Sequence, residues 1–396
     1  MIDAGLSLTT ALAVAVVLLT LRAPVYVAIL VSYVVFAILA GGVELLVESL
    51  ARAVTSVETW PLAASVMLVA WLAILYSESG VARSLGLELS RALRRPLLAA
   101  TLTPGVLGLL PIPGGALMSA PIVDAVGSLM GLERRVKVFV NVWYRHVTVF
   151  IYPLTSMLIL TSGLSGYSIT QLVKALAPLA LIMFLIGLPL LRGGGVVEGS
   201  LDLSRLLRGF VPIITAATLA LMLTPLDAVC PRLSVVVAAI ASLIVFAWLN
   251  RVRGGVLVRS LLDRRVFEIA CVVLVAVAYR SALIGVDLSG LTSLLGSSVV
   301  TISVVLPAIL SLASGYPSVG VVVAIPVAER AVGLSVSTVC MIYMSAFLAY
   351  LASPVHLCLV YTAQYFKERL VAVYKLLAPM TILMLAITYV WLGMIQ

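Results

Sequence analysis

The stretch at 97–130, LLAATLTPGVLGLLPIPGGALMSAPIVDAVGSLM, decides how this chain meets its solvent. It is apolar on both sides of a break at Pro111-Ile112-Pro113-Gly114-Gly115, and each limb is about 16 residues long. At about 1.5 Å per residue a limb reaches ~24 Å, short of the ~30 Å hydrocarbon thickness of a bilayer. The break carries no charge, whereas Arg94, Arg95, Arg134 and Arg135 stand at its two bases. A loop emerging into water would not have that distribution. The stretch reads as a re-entrant helical hairpin, both ends on one side of a membrane and the tip near mid-depth.

A second stretch of the same design runs over 297–328 and breaks at Ala313-Ser314-Gly315-Tyr316-Pro317-Ser318. Gly and Pro also kink ordinary spans, and one interrupted segment would fit that. Two at matching places in the two halves of the chain favour hairpins. Bare backbone at membrane depth is tolerated only where protein buries it or it lines a cavity. Helix starts after the breaks offer unpaired N–H groups to an anion, and carbonyl ends can coordinate a cation.

Composition agrees. Apolar residues make up 63% of the 396 residues and charged residues only 10%, with a mean hydropathy of +1.23. A soluble domain is about a quarter charged, so the solvent is lipid. At about 20 residues per span the chain holds roughly a dozen hydrophobic passes and no soluble head. The net charge of +9 does not point to nucleic acid, because the basic residues alternate with apolar spans and do not gather on one surface. Cys230, Cys271, Cys340 and Cys358 show no CxxC spacing, so neither a disulfide framework nor a zinc site is indicated. Asp3 and the lack of a basic leader mark the first apolar stretch as a retained span.

Apolar stretches fall at about 5–21, 24–41, 60–77, 97–130, 137–162 and 172–191, and again at about 209–226, 233–249, 266–284, 297–328, 335–365 and 372–394. Each six reads as three spans, a hairpin, an overlong span containing proline, and a final span. With both termini outside, nineteen of the 25 basic residues face the cytoplasm. Arg52, Lys174, Arg232 and Arg330 face outward, and Arg145 and Arg280 stay at membrane depth. Five crossings per half is an odd number, so the second half enters upside down. The expected fold is an all-α polytopic membrane protein of two inverted repeats, 1–195 and 209–396. Each repeat has five transmembrane helices and one re-entrant hairpin, and a cytoplasmic linker at 196–208 joins the two.

The overlong spans carry the polar residues. The first contains Asn141, Tyr144, Arg145 and His146, then Pro153; the second contains Ser345, Ser353, Pro354 and His356. Counted from Lys137, Arg145 lies about 12 Å into the membrane, too deep to snorkel easily. It is read either as a group that recognises an anion or as a staple paired with Asp124; Arg280 is read as structural. Asp124, Glu268 and Glu329 lie near the ends of apolar segments and no acid sits at mid-depth. A cation antiporter usually needs a buried carboxylate, so substrate charge tilts negative.

The motifs PIPGGALMSAP (111–121) and ASGYPSVGVVVAIP (313–326), with the two proline-broken helices, resemble the ion transporter superfamily. That group includes divalent-anion/sodium symporters, gluconate permeases and arsenite permeases. More narrowly, the chain is similar to a group of archaeal ten-span membrane proteins. The resemblance implies a homodimer with a scaffold domain and a transport domain that moves as an elevator. The Ser-Asn-Thr of the sodium/dicarboxylate members is represented only by Ser119 and Ser314.

The reading is a secondary active transporter in the cell membrane, moving a small organic anion of the carboxylate kind with sodium or protons. Substrate contacts are expected from Gly114, Gly115, Ser119, Asn141, Tyr144, Arg145, His146, Ser314, Gly315, Tyr316, Ser318, Ser345, Ser353 and His356. Sodium, the one ion expected as cofactor, would bind at the tips and helix breaks around Pro113, Gly114, Pro153, Ser314, Gly315 and Pro354. No Walker motif, HExxH or suitably placed GxSxG occurs. The alternatives are a cation/proton antiporter, a channel and, remotely, an intramembrane enzyme.

Overall fold

The computed structural model describes residues 3–21, 23–110, 115–286 and 298–394. Pro113 and Gly114, expected at the first hairpin tip, lie outside the described residues. Among the described residues the chain is helical with no strand, as a backbone in hydrocarbon must be when no closed barrel forms.

The first repeat runs α1 (Ala4–Thr20), α2 (Val25–Thr55), α3 (Thr59–Glu78) and a short amphipathic α4 (Val81–Leu93). The hairpin arms α5 (Pro96–Gly108) and α6 (Ala116–Leu129) follow, then α7 (Arg134–Val147), α8 (Ser156–Ser165) and α9 (Ile169–Gly187). The second repeat runs α10 (Leu203–Met222), α11 (Leu233–Leu249), α12 (Gly254–Leu261) and α13 (Arg264–Ile284). Its arms are α14 (Leu306–Ser314), entered through a π turn at Thr301–Val305, and α15 (Pro317–Ala331). Then come α16 (Val336–Leu351), α17 (Leu357–Tyr365) and α18 (Leu370–Met394).

The expected order of spans, hairpin, broken helix and final span therefore holds in both halves. Among the described residues six helices are long and apolar enough to cross a bilayer: Tyr26–Thr55, Thr59–Glu78, Ile169–Leu190, Leu203–Met222, Gly254–Ile284 and Leu370–Met394. The hairpin arms are shorter, 13 and 14 residues in the first hairpin, so each reaches only about 20 Å.

Two boundaries differ from the hydropathy reading. The second span does not stop near 41. α2 continues to Thr55 past a break at Gly42 (φ 73°), and an ion pair between Glu48 and Arg52 one turn apart supports the polar extension. The connection between the repeats also lies earlier than 196–208, because helix ends at Leu190 and Asp202 accepts a hydrogen bond from the Arg205 N–H, which starts α10 at Leu203.

Burial shows which helices are central. Every residue from Lys137 to Val147 of α7 is buried, as is every residue from Val319 to Ala328 of α15 and from Ser337 to Leu348 of α16. A helix buried all round touches protein on every side. The first hairpin packs on α7 and the second on α16. Partners are then exchanged between repeats: α6 packs against α17, and α15 against α8. Away from this centre α1, α2, α3, α10, α11 and α13 pack with one another, and this is the scaffold side.

The second hairpin turns at Gly315, which has φ +67° and closes α14 through its N–H to the Ser311 carbonyl. A Cβ there would meet Val355 Cγ2 at 2.7 Å and the Val355 carbonyl at 3.1 Å. Gly333 also has positive φ (+78°) but nothing near it. Both substitutions to alanine carry the same left-handed strain, so only packing separates them. Gly315→Ala is expected to cost about 1–3 kcal/mol more than Gly333→Ala, read as a lower melting temperature in detergent. Equal losses would show that the tip is not packed under the α16–α17 break.

Candidate functional site

Three polar side chains from the broken helices hold the backbone of the two hairpins. Arg145 Nη2 donates to the Leu110 carbonyl at 3.3 Å, and Asn141 Nδ2 donates to the Ala116 carbonyl at 2.9 Å. Leu110 and Ala116 flank the first tip. Asn141 Nδ2 also reaches Thr362 Oγ1 on α17 at 3.0 Å, which ties the two repeats together. In the second repeat Ser353 Oγ donates to the Leu312 carbonyl of α14 at 2.6 Å. The approach of α5 to α7 is close because Gly108 has no side chain: a Cβ there would fall 1.8 Å from the Arg145 carbonyl oxygen.

Between the two broken helices lies a buried cluster. The His146 and His356 rings sit 5.0 Å apart, and the Tyr350 ring lies tilted against His356 at 4.1 Å. Phe347 closes one side, 5.9 Å from His146. The Arg145 guanidinium neighbours Cys358 and Tyr350. His146, His356 and Cys358 are buried, and a ligand atom of each lies within 4.8 Å of the others.

The charge here is unbalanced. The proposed pairing of Arg145 with Asp124 does not form; Asp124 instead accepts from Lys137 Nζ at 2.7 Å, which also donates to Ser128 Oγ. Arg280, the other deep arginine, is paired with Glu329 through two contacts of 3.1 and 2.9 Å. Arg145 has no such partner among the described residues: its electrostatic neighbours are Cys358 and Tyr350, and Nη1 makes no hydrogen bond. Asn141 Oδ1, Ser345 Oγ and His356 Nε2 are likewise buried without partners. Each such orphan costs about 1–3 kcal/mol if left dry, and the four named here all belong to the two broken helices.

The remaining expected residues divide. Ser314 Oγ takes the Tyr316 N–H at 3.1 Å and shapes the second tip, with Ser318 half-buried at the start of α15. Ser119 is buried and bonds back to the Ala116 carbonyl of its own helix, after Gly115 has started α6. Pro153 is buried in the first break and Pro354 exposed in the second. One candidate turns away from the cluster. Tyr144 turns the other way, its ring edge-on to Phe184 and its hydroxyl donating to the Phe184 carbonyl of α9. Tyr316 is 40% exposed. Cys358 and Tyr350 line the cluster without having been expected as substrate contacts, and Thr362 meets Asn141. A cleft of about 300 Å³ lies elsewhere, between α4 and α6, lined by Arg83, Arg91, Met118, Ile122 and Glu198.

Paired hairpins facing two broken helices define a class of multi-pass helical membrane protein. The chain belongs to the family described as "Protein of unknown function (DUF401)", whose profile matches residues 4–395. No curated protein matches it. Its fold is similar to that of the Alcanivorax borkumensis YdaH transporter, whose crystal structure reveals an unusual topology. The two share 17% identity and a TM-score of 0.60, over 89% of this chain and 88% of that one.

Asn141→Leu keeps the volume and removes both donated bonds. It is expected to destabilise the folded protein by about 1–3 kcal/mol, because the Ala116 carbonyl loses the shorter of its two side-chain donors, with Ser119 Oγ remaining at 3.2 Å, and Thr362 Oγ1 loses the Asn141 amide. Hydrogen exchange should rise in the first turn of α6 and in α17 together. A rise in neither segment would mean that Asn141 does not couple them.

Proposed function

We propose that the protein is a secondary active transporter that carries a small organic anion, a carboxylate, across the cell membrane. Hairpins and broken helices move as one block against the scaffold helices, in an elevator motion coupled to sodium or protons. One observation carries the reading: Arg145 is buried, 4% exposed, and faces the crossing of the broken helices beside Cys358 and Tyr350, with no carboxylate next to it among the described residues. A guanidinium out of water without a counter-charge is costly, and an anionic substrate supplies that charge in a bidentate geometry that arginine suits. Asn141 Oδ1 and Ser345 Oγ, both unpaired, add polar contacts on the same two helices. The fold shared with a transporter supports the same conclusion. A sodium ion would bind where carbonyls end helices, near Pro153, Gly315 and Pro354.

Uptake into liposomes, measured for a panel of small carboxylates with and without a sodium gradient, tests this. Arg145→Gln is expected to lower uptake by about 100-fold or more, since leaving one buried charge unpaired costs about 3–5 kcal/mol. The variant should keep its elution volume, and its melting temperature should fall by no more than the lost hydrogen bond to the Leu110 carbonyl explains. Unchanged uptake would remove Arg145 from the site, and joint loss of fold and uptake would make it a structural staple.

A further inference from the structure

We propose that His146, His356 and Cys358 form a binding site for a soft monovalent metal ion, copper(I), that joins the two repeats. The site adjoins the Arg145 guanidinium, which lies against Cys358, but Arg145 supplies none of its donors.

The donor atoms are already gathered. One nitrogen from each ring and the Cys358 Sγ lie within 4.8 Å of one another. Around a metal with bonds of about 2.0–2.3 Å such atoms stand roughly 3.3–3.7 Å apart, so small side-chain rotations complete the set. The histidines are oriented for the task. His146 Nδ1 faces the Val142 carbonyl at 2.6 Å, and His356 Nδ1 faces the Leu351 carbonyl at 3.3 Å. A carbonyl oxygen only accepts, so each Nδ1 carries the hydrogen and each Nε2 keeps its lone pair. That backbone clamp is the arrangement in which histidine ligates metals. His356 Nε2 is buried and has no hydrogen-bond partner among the described residues. An imidazole lone pair beside a second imidazole and a thiol needs either a proton or a metal.

Chemistry and charge select the ion. One thiolate and two imidazoles suit soft or borderline cations and not sodium, calcium or magnesium. Binding displaces the thiol proton: the metal–sulfur bond forms as the sulfur–hydrogen bond breaks and the proton leaves to solvent. A divalent ion in this set would keep one net positive charge beside the Arg145 guanidinium, a like-charge pair in a low-dielectric interior. A monovalent ion with one thiolate is neutral. Copper(I) fits both conditions, and its preference for few ligands matches three donors.

The full-length protein, purified in detergent, would be titrated anaerobically with copper(I) against a chromogenic chelator. One ion per chain is expected, with zinc bound more weakly. X-ray absorption should show two nitrogen and one sulfur neighbours. Cys358→Ser and His356→Gln should each weaken binding by about 100-fold or more. The triple variant Cys230→Ser, Cys271→Ser, Cys340→Ser keeps only Cys358 and should bind as the parent does, which retains the test if Cys358→Ser does not fold. Arg145→Gln, which removes the anion contact, should still bind copper(I) and should bind zinc better than the parent. Folded parent protein that takes up no copper(I) would overturn the proposal. So would binding lost in the triple variant but kept in Cys358→Ser, or a preference of the parent for zinc.

Discussion

A peptide carbonyl with no donor in hydrocarbon has no water to turn to, and that constraint organises the centre of this protein. Two hairpins turn inside the membrane, with Leu110 just past the end of α5, Ala116 in the first turn of α6 and Leu312 in the last turn of α14. Each of those carbonyls is met by a side chain from a neighbouring broken helix: Arg145, Asn141 and Ser353. The helices that supply the donors are themselves broken, so their own ends need partners. Hairpins and broken helices therefore depend on one another, and the polar residues that satisfy backbone are the ones beside the candidate site.

Much of this architecture was legible because lipid imposes a simple code. Apolar runs of span length, half-length runs around Gly and Pro, and basic residues at the bases of the first hairpin gave the order of elements in both repeats. The code fails where polarity and helix no longer exclude each other. α2 continues through Glu44, Glu48 and Arg52 because charges one turn apart suit a helix that leaves the membrane. The start of α10 at Leu203 was equally invisible to hydropathy, since Asp202 and Arg205 set it by capping.

At the site, depth could be counted from the sequence but direction could not. Asn141, Arg145, His146 and His356 stood out as polar residues in apolar spans. Tyr144 looked equivalent to them, yet one step of a helix turns a side chain by about 100°, and it faces α9. Cys358 was passed over because metal spacing was sought within one segment, and its nearest fellow donor, His356, is two residues away. In a regular helix such a pair points to opposite sides. His356, however, caps α17 with an extended backbone (ψ 108°), and the break brings the two side chains together. His146 comes from the other repeat, a proximity that linear spacing cannot show.

The exchange of partners between repeats bears on biosynthesis. α6 finds its neighbour in α17, and α8 finds its neighbour in α15. When the ribosome has finished the first half, α6 and α8 are in the bilayer while the surfaces they will pack against have not been made. Asn141 is in place, yet Thr362, its second partner, is still to be translated. The nascent first half must wait with its hairpin half-enclosed, shielded by lipid or by the insertion machinery. Maturation is then a single late event, completed when the last broken helix threads between arms that were inserted long before it.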